Sequence, residues 1–125
     1  MEPAVTPSDR LIQAALDGLA LRQRVISQNV ANVDTPGFKA SHVEFEQALR
    51  TALAGGVDQA AHAADAPRAP TVVMNRGTGQ ADGNNVDVEG EMLSLAETNI
   101  TYNALAQLAS TRLRQLRTVI TDGRQ

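Results

Sequence analysis

Residues 92–120 read MLSLAETNITYNALAQLASTRLRQLRTVI. Within them Met92, Leu95, Asn99, Tyr102, Ala106, Ala109, Leu113, Leu116 and Ile120 recur at alternating steps of three and four. Four heptads without a stutter predict one long helix carrying a coiled-coil seam. Asp87, Glu89 and Glu91 stand where that helix begins, and Arg112, Arg114, Arg117 and Arg124 gather toward its end, so both ends complement the helix dipole. Gly90 weakens the first turn, and Asp122-Gly123 supplies the stop. The length is on the order of 50 Å. Asn99, well inside the helix, is expected to fix register at some cost in stability.

The other end of the chain repeats the theme. Thr6-Pro7-Ser8-Asp9 has a capping threonine, a proline at the first helical position and an acid placed for a capping box. One apolar stripe follows as Leu11, Ala14, Gly18, Leu21 and Val25; beside it runs Ile12, Leu16, Leu19, Ile26, Val30 and Val33, with Gln23 interrupting. Thr35-Pro36-Gly37 stops the helix near Val33, after a run on the order of 40 Å. The simplest packing is an antiparallel coiled-coil hairpin with Leu11, Gly18, Leu21 and Val25 in the seam. Small residues there (Ala14, Gly18, Ala106, Ala109) let backbones approach closely but bury little area.

The apolar residues exceed what one seam can hide. The first helix has two stripes, and Leu93, Ile100, Leu105, Leu108 and Val119 lie off the main repeat of the second. Either the middle of the chain folds back over them or other subunits do. The middle is polar and glycine-rich, which favours other subunits. For Asn29 and Asn32, periodicity supports a partly exposed position near the helix end at least as well as a register role.

In the middle, Ser41-His42-Val43-Glu44 offers a second capping box, leading a short helix with Phe45, Leu49, Ala52 and Leu53 on its apolar face and Gly55-Gly56 at its end. Residues 57–87 hold Pro67, Pro70, Gly77, Gly79, Gly83 and Asn84-Asn85, with an Ala-rich, low-complexity run over 59–69. They read as a flexible, partly disordered insertion with one short strand at Thr71-Val72-Val73-Met74. The chain is therefore expected to be mainly α. Residues 1–33 and 88–125 form the coiled-coil part, 34–56 a turn and short helix, and 57–87 a loop.

Composition narrows the function. The 125 residues carry 11 basic and 14 acidic side chains, a net charge of −3, which disfavours a dedicated nucleic-acid binder. Without cysteine there are no disulfides, thiolate metal sites or thiol catalysis. His42 and His62 lack metal-ligand spacing and read as surface residues. Gly77-Thr78-Gly79 lacks the third glycine of a dinucleotide loop and reads as plain loop. Asp82-Gly83-Asn84-Asn85-Val86-Asp87 has Asp87 where a calcium loop needs glycine. The Arg112–Arg117 cluster reads as a solvated helix end. No catalytic constellation emerges, and no cofactor is implied. No apolar run approaches a membrane span. The acidic, proline-bearing start lacks the features of a cleaved signal peptide, so a cytosolic chain or export by another signal is expected.

One stretch is specific: Asn29-Val30-Ala31-Asn32-Val33-Asp34-Thr35-Pro36-Gly37-Phe38-Lys39. Physically it is a helix exit, with Asn32 and Asp34 placed to bond backbone, a Thr-Pro-Gly turn, Phe38 free to dock and Lys39 pointing out. It also resembles the N-terminal signature Asn-x-x-Asn-x-[Asn/Asp]-Thr-x-Gly-[Phe/Tyr]-[Lys/Arg] of the flagellar rod, hook and hook-associated family, matching every patterned position. The stretch Asp82 to Asp87, followed by Glu89-x-Glu91-Met92 and a helix with Tyr102, resembles the short proximal rod proteins of that family. The resemblance covers 11–53 and 82–120. It implies a structural subunit that stacks helically around a channel, transmits torque, and leaves the cell through the flagellar type III export apparatus. The implied location is the periplasmic rod of the basal body. The implied partners are further copies of itself, the rod proteins FlgC, FlgF and FlgG, the adaptor FliE and the export gate. The rival readings are FlgC itself, another exported axial coiled-coil subunit, or a small cytosolic helical-hairpin adaptor.

Overall fold

The computed structural model describes residues 6–54 and 70–123. The expectations for the 59–69 run, Gly55-Gly56, His62 and Arg124, and for the side chains of Ala52 and Leu53, lie outside the described residues. The elements in chain order are α1 (Pro7–Ala31), β1 (Ser41–Glu44), α2 (Glu46–Ala54), β2 (Thr71–Met74) and α3 (Val88–Asp122). The chain is mainly helical, with the two long helices near its ends.

Helix α1 begins as its local chemistry dictates. The Thr6 hydroxyl accepts the Asp9 N–H, while the Asp9 carboxylate accepts from the Thr6 backbone N–H at 2.9 Å. The Thr6 hydroxyl also lies 2.6 Å from Asp9 Oδ2, and donation from it first, then from the Thr6 backbone N–H, holds the Asp9 pKa below its usual value. Helix α3 starts at Asp87 without a side-chain cap, so Asp87, Glu89 and Glu91 act there only as charges near the dipole.

The two helices run antiparallel. Arg112 lies 4.0 Å from Asp9, and Gln23 Nε2 donates to Asn99 Oδ1 at 2.6 Å. This pairing fixes a register in which the two residue numbers sum to about 121. Continued at helical spacing, it turns Ile12, Leu16, Leu19, Gln23, Ile26 and Val30 of α1 toward α3. The sheltered residues of α3 are Glu91, Leu95, Thr98, Tyr102, Leu105, Ala109, Arg112 and Leu116, again a 4-3 repeat.

The expected seam is thus half correct. Leu95, Tyr102, Ala109 and Leu116 face inward, and Ala106 is half-buried at the edge. Met92, Asn99, Leu113 and Ile120 are exposed, because the other half of the repeat sits one residue earlier, at Glu91, Thr98, Leu105 and Arg112. Thr98 is tolerated there because its hydroxyl donates to the Ser94 carbonyl, which satisfies it in burial. Asn99 consequently bonds Gln23 from an exposed position and is not a buried register residue.

The first stripe of α1 faces a different partner from the one expected. Gly18, Arg22, Val25 and Asn29 follow at i, i+4, i+7 and i+11, and all four meet the chain between residues 41 and 46. A Cβ on Gly18 would stand 2.7 Å from the Phe45 ring. Gly18 therefore makes room for Phe45, not for α3. Leu19, Val25, Val43 and Phe45 form the core, with Leu21, Leu49, Tyr102 and Leu105 packed against it. Leu11 is half-buried. From Gly18 onward the first stripe of α1 is thus covered by the chain's own middle segment, contrary to the expectation that other subunits would cover the excess.

Residues 41–44 form a strand instead of a capping box. They pair antiparallel with β2 in the register Ser41↔Met74, Val43↔Val72. Alternation decides this: Val43 points into the core while His42 and Glu44 face out. The capping pattern was local; the ladder and the burial of Val43 outweigh it. The strand expected at 71–74 is present.

Candidate functional site

The signature 29–39 and the stretch 82–87 are brought together as one interlocked unit at the exit of α1. The carbonyls of the turn that follows α1 lie outside the helix ladder, and here a distant asparagine binds them. Asn84 is fully buried, and its Nδ2 stands 2.8–2.9 Å from the carbonyls of Asn32, Val33 and Thr35. Its two amide hydrogens are shared among three acceptors. Its Oδ1 accepts the Val86 N–H at 2.9 Å, and its own N–H goes to Asp82 Oδ1 at 3.0 Å.

Around this plug the two segments bond by backbone. Gly37 N–H donates to Asp82 O at 3.0 Å, and Asn85 N–H to Phe38 O at 3.3 Å. Gly37 and Gly83 both take positive φ, +74° and +84°, a region that glycine enters without a Cβ clash. Asn85 Oδ1 accepts the Ala40 N–H at 2.6 Å, and its amide reaches the carbonyls of Asn75 and Gly77. Val86 and Ala40 are buried beside it. Residues 70–87 are therefore a built part of the fold, not a flexible insertion.

Two asparagines clasp α1. Asn29 is 1% exposed; its Nδ2 donates to Ser41 O at 2.7 Å and its Oδ1 accepts the Ser41 N–H at 3.0 Å. This bidentate bond to one backbone residue starts β1 and overturns the partly exposed reading. Asn32 stays local, donating to Gln28 O, with its Oδ1 accepting from the Thr35 hydroxyl. Lys39 does not point out: its Nζ donates to Gly83 O at 2.5 Å. Asp34, Thr35, Pro36 and Gly37 are exposed and Phe38 is half-buried. Asp34 makes no side-chain hydrogen bond among the described residues, against expectation.

Some of the decisive residues carry no obvious sequence signal. A Cβ on Gly79 would stand 2.2 Å from Asn84 O, so the supposed plain loop contains a required glycine. Arg22 donates to Val43 O at 2.8 Å, pairs with Glu46 at 2.5 Å and lies 4.8 Å above the Phe45 ring centroid. Burial alone would raise the Glu46 pKa, but its own backbone N–H and Arg22 outweigh that and hold it below normal. Only the i, i+4, i+7, i+11 relation to Gly18, Val25 and Asn29 could have pointed to Arg22. On the ribbon, His42 bonds Glu44 and Asn75, which raises its pKa.

The second feature is apolar surface left without cover along α3. Met92, Leu93, Ile100, Leu108, Leu113, Val119 and Ile120 of α3 are each about half exposed or more, with Ile100 at 71%. For α3, the expectation of excess apolar surface therefore holds. Among the described residues, no group of three or more His, Cys, Asp or Glu could hold a metal ion, and no helix is long and apolar enough to cross a membrane.

The sequence is similar to those of known proteins. A family model described as flagella basal body rod protein matches residues 13–39, most of α1 and its exit. The chain is 34% identical to the flagellar basal body rod protein FlgB of Bacillus subtilis (strain 168), covering 90% of this chain and 92% of the relative. It is 32% identical to FlgB of Borrelia hermsii over 84% of this chain and 89% of that protein, and 27% identical to FlgB of Escherichia coli (strain K12) over 91% and 93%. With an interlocked exit of α1, uncovered apolar surface on α3 and this likeness along nearly its whole length, the chain belongs to the FlgB family of flagellar basal-body rod proteins.

Proposed function

We propose that the chain is a structural subunit of the bacterial flagellar rod. It assembles helically with other rod proteins into the proximal rod, around the export channel, and carries torque outward. The observation that carries this reading is the exposed apolar surface of α3 in a chain of this family. A lone molecule leaves these side chains wet, and burying them stabilises by about 25 cal/mol per Å². Met92, Asn99, Leu113 and Ile120 move in this reading from an intrachain seam to the subunit interface. Leu95, Tyr102, Ala109 and Leu116 hold α1. The signature 29–39 with 82–87 works inside the subunit, setting the direction in which the chain leaves α1 and enters α3.

The domain division changes accordingly. Helices α1 and α3 are the axial part, and residues 34–54 with 70–87 form a packed head on them. The partners in this reading are further copies, FlgC, FlgF and FlgG, the adaptor FliE and the export gate. The place is the periplasmic rod, reached through the flagellar type III apparatus. The family is a structural one, which supports a subunit role.

The test is a strain lacking the chain, complemented with the native or altered protein. The native chain restores swimming and co-purifies with basal bodies. Normal swimming without the chain, or basal bodies that never contain it, would sink the rod reading.

A further inference from the structure

Helix α2 stands off from α3 and leaves a half-open groove of about 390 Å³ floored by α1. Its apolar lining includes Leu19, Leu49 and Leu105, and Glu46 and Glu97 stand at its edges with Thr101. Glu46 is neutralised by Arg22, which leaves Glu97 without a cationic partner among the described residues. The groove is thus aliphatic inside with one free negative charge at its rim.

The matching surface is at the far end of the same helix. Charge on α3 is segregated: residues 88–105 hold Glu89, Glu91 and Glu97 and no base, while 106–121 hold Arg112, Arg114 and Arg117 and no acid. Arg112 lies beside Asp9 of its own chain. Arg114 and Arg117 have no acidic partner among the described residues. Leu113, Arg117 and Ile120 share one face at i, i+4 and i+7, with Leu113 68% and Ile120 55% exposed.

The chain cannot fill its own groove with this face. Leu113 lies twelve residues beyond Thr101 on one continuous helix, roughly 18 Å along the axis. We propose that the groove between α1, α2 and α3 of one copy receives the Leu113–Arg117–Ile120 face of α3 from a second copy, with Arg117 against Glu97. The contact proposed is head-to-tail, each copy offering its groove to one neighbour and its stripe to another, so that it repeats from copy to copy. It deepens the rod-subunit reading, on which it rests, by naming which surfaces of two copies meet.

The chain has no cysteine, so engineered pairs report without background. Thr101→Cys and Leu113→Cys, both at exposed positions, placed in one chain and oxidised should give a ladder of disulfide-linked multimers. The two single variants mixed should give a dimer, and each alone little product. Glu97→Arg or Arg117→Glu should cut the linked yield about tenfold by opposing like charges, and the two together should restore it. Circular dichroism shows whether each variant keeps its helix. The contact is overturned if the double-cysteine chain gives no ladder either purified or in isolated basal bodies. It is equally overturned if each single variant dimerises as well as the pair, if linkage occurs only to other proteins, or if the double charge reversal restores nothing. A chain that forms the ladder yet is missing from basal bodies overturns the rod reading and leaves the contact standing.

Discussion

Replacing Asn84 with alanine tests the interlock at its centre. The side chain is fully buried, offers two amide hydrogens to three carbonyls of the α1 exit, and accepts the Val86 N–H. Alanine removes all of these; Asn32 O and Thr35 O keep the N–H groups of Thr35 and Phe38, while Val33 O and the Val86 N–H lose their partner. Two unsatisfied groups, at about 1–2 kcal/mol each, give a loss of about 2–4 kcal/mol. Water entering the vacated space would keep the loss toward the lower figure. Against a typical total of about 5–15 kcal/mol this is a large fraction. In urea the midpoint should fall by roughly 1–3 M at an ordinary slope for a chain of this size. Asn84→Asp keeps the shape but turns an oxygen toward three carbonyl oxygens, and should be worse still. Asn103→Ala, at an exposed helix position, is the control and should shift stability by less than about 0.5 kcal/mol. If Asn84→Ala and Asn103→Ala melt alike, the capping argument is wrong.

Other expectations follow from neighbouring features. Gly79→Ala should destabilise by about 1–3 kcal/mol, since its Cβ meets the Asn84 backbone; a neutral result in urea melts would show that the loop gives way. Gly37→Val should cost about 1–3 kcal/mol through its positive φ, although nothing crowds the site. Leu113→Asp should leave the melting of the isolated chain intact and abolish swimming, whereas the half-buried Leu116→Asp should lower the melting temperature as well; equal melting would undo the rotated seam. For His42, the folded pKa is raised by Glu44 and Asn75, so its contribution is full below the unfolded value near 6.5 and fades as pH rises through the folded value. Ribbon amides should therefore exchange more slowly at pH 5.5 than at pH 8, after correction for intrinsic rates, and a His42 titration midpoint at or below 6.5 would contradict this.

Legibility in the sequence followed the range of the interactions. The Thr6–Asp9 box, the helix stop after Ala31 and the strand at 71–74 depend on neighbours within a few residues, and each reads directly from the chain. The α3 seam was legible to one residue in two. The most apolar heptad frame selects Met92, Leu113 and Ile120, whereas the real interior accepts Glu91, Thr98 and Arg112 at its rim and middle. A seam shared with a partner subunit puts greasy residues on the outside, and a template that assumes one interior cannot separate the two. Ser41 to Glu44 failed for the opposite reason, since a good local pattern was overruled by a partner strand thirty residues away. Asn84 was singled out by resemblance, but its task depends on carbonyls about fifty residues earlier, which no local rule connects.

That separation governs the order of events as a ribosome releases the chain. A nascent product ending before Asn84 has α1 and the first strand, but neither the plug for the helix exit nor the partner residues at 84–86. It cannot lock into a finished head too early. The last step of closure waits until about two-thirds of the polypeptide has emerged, which keeps the growing molecule pliable for most of its synthesis.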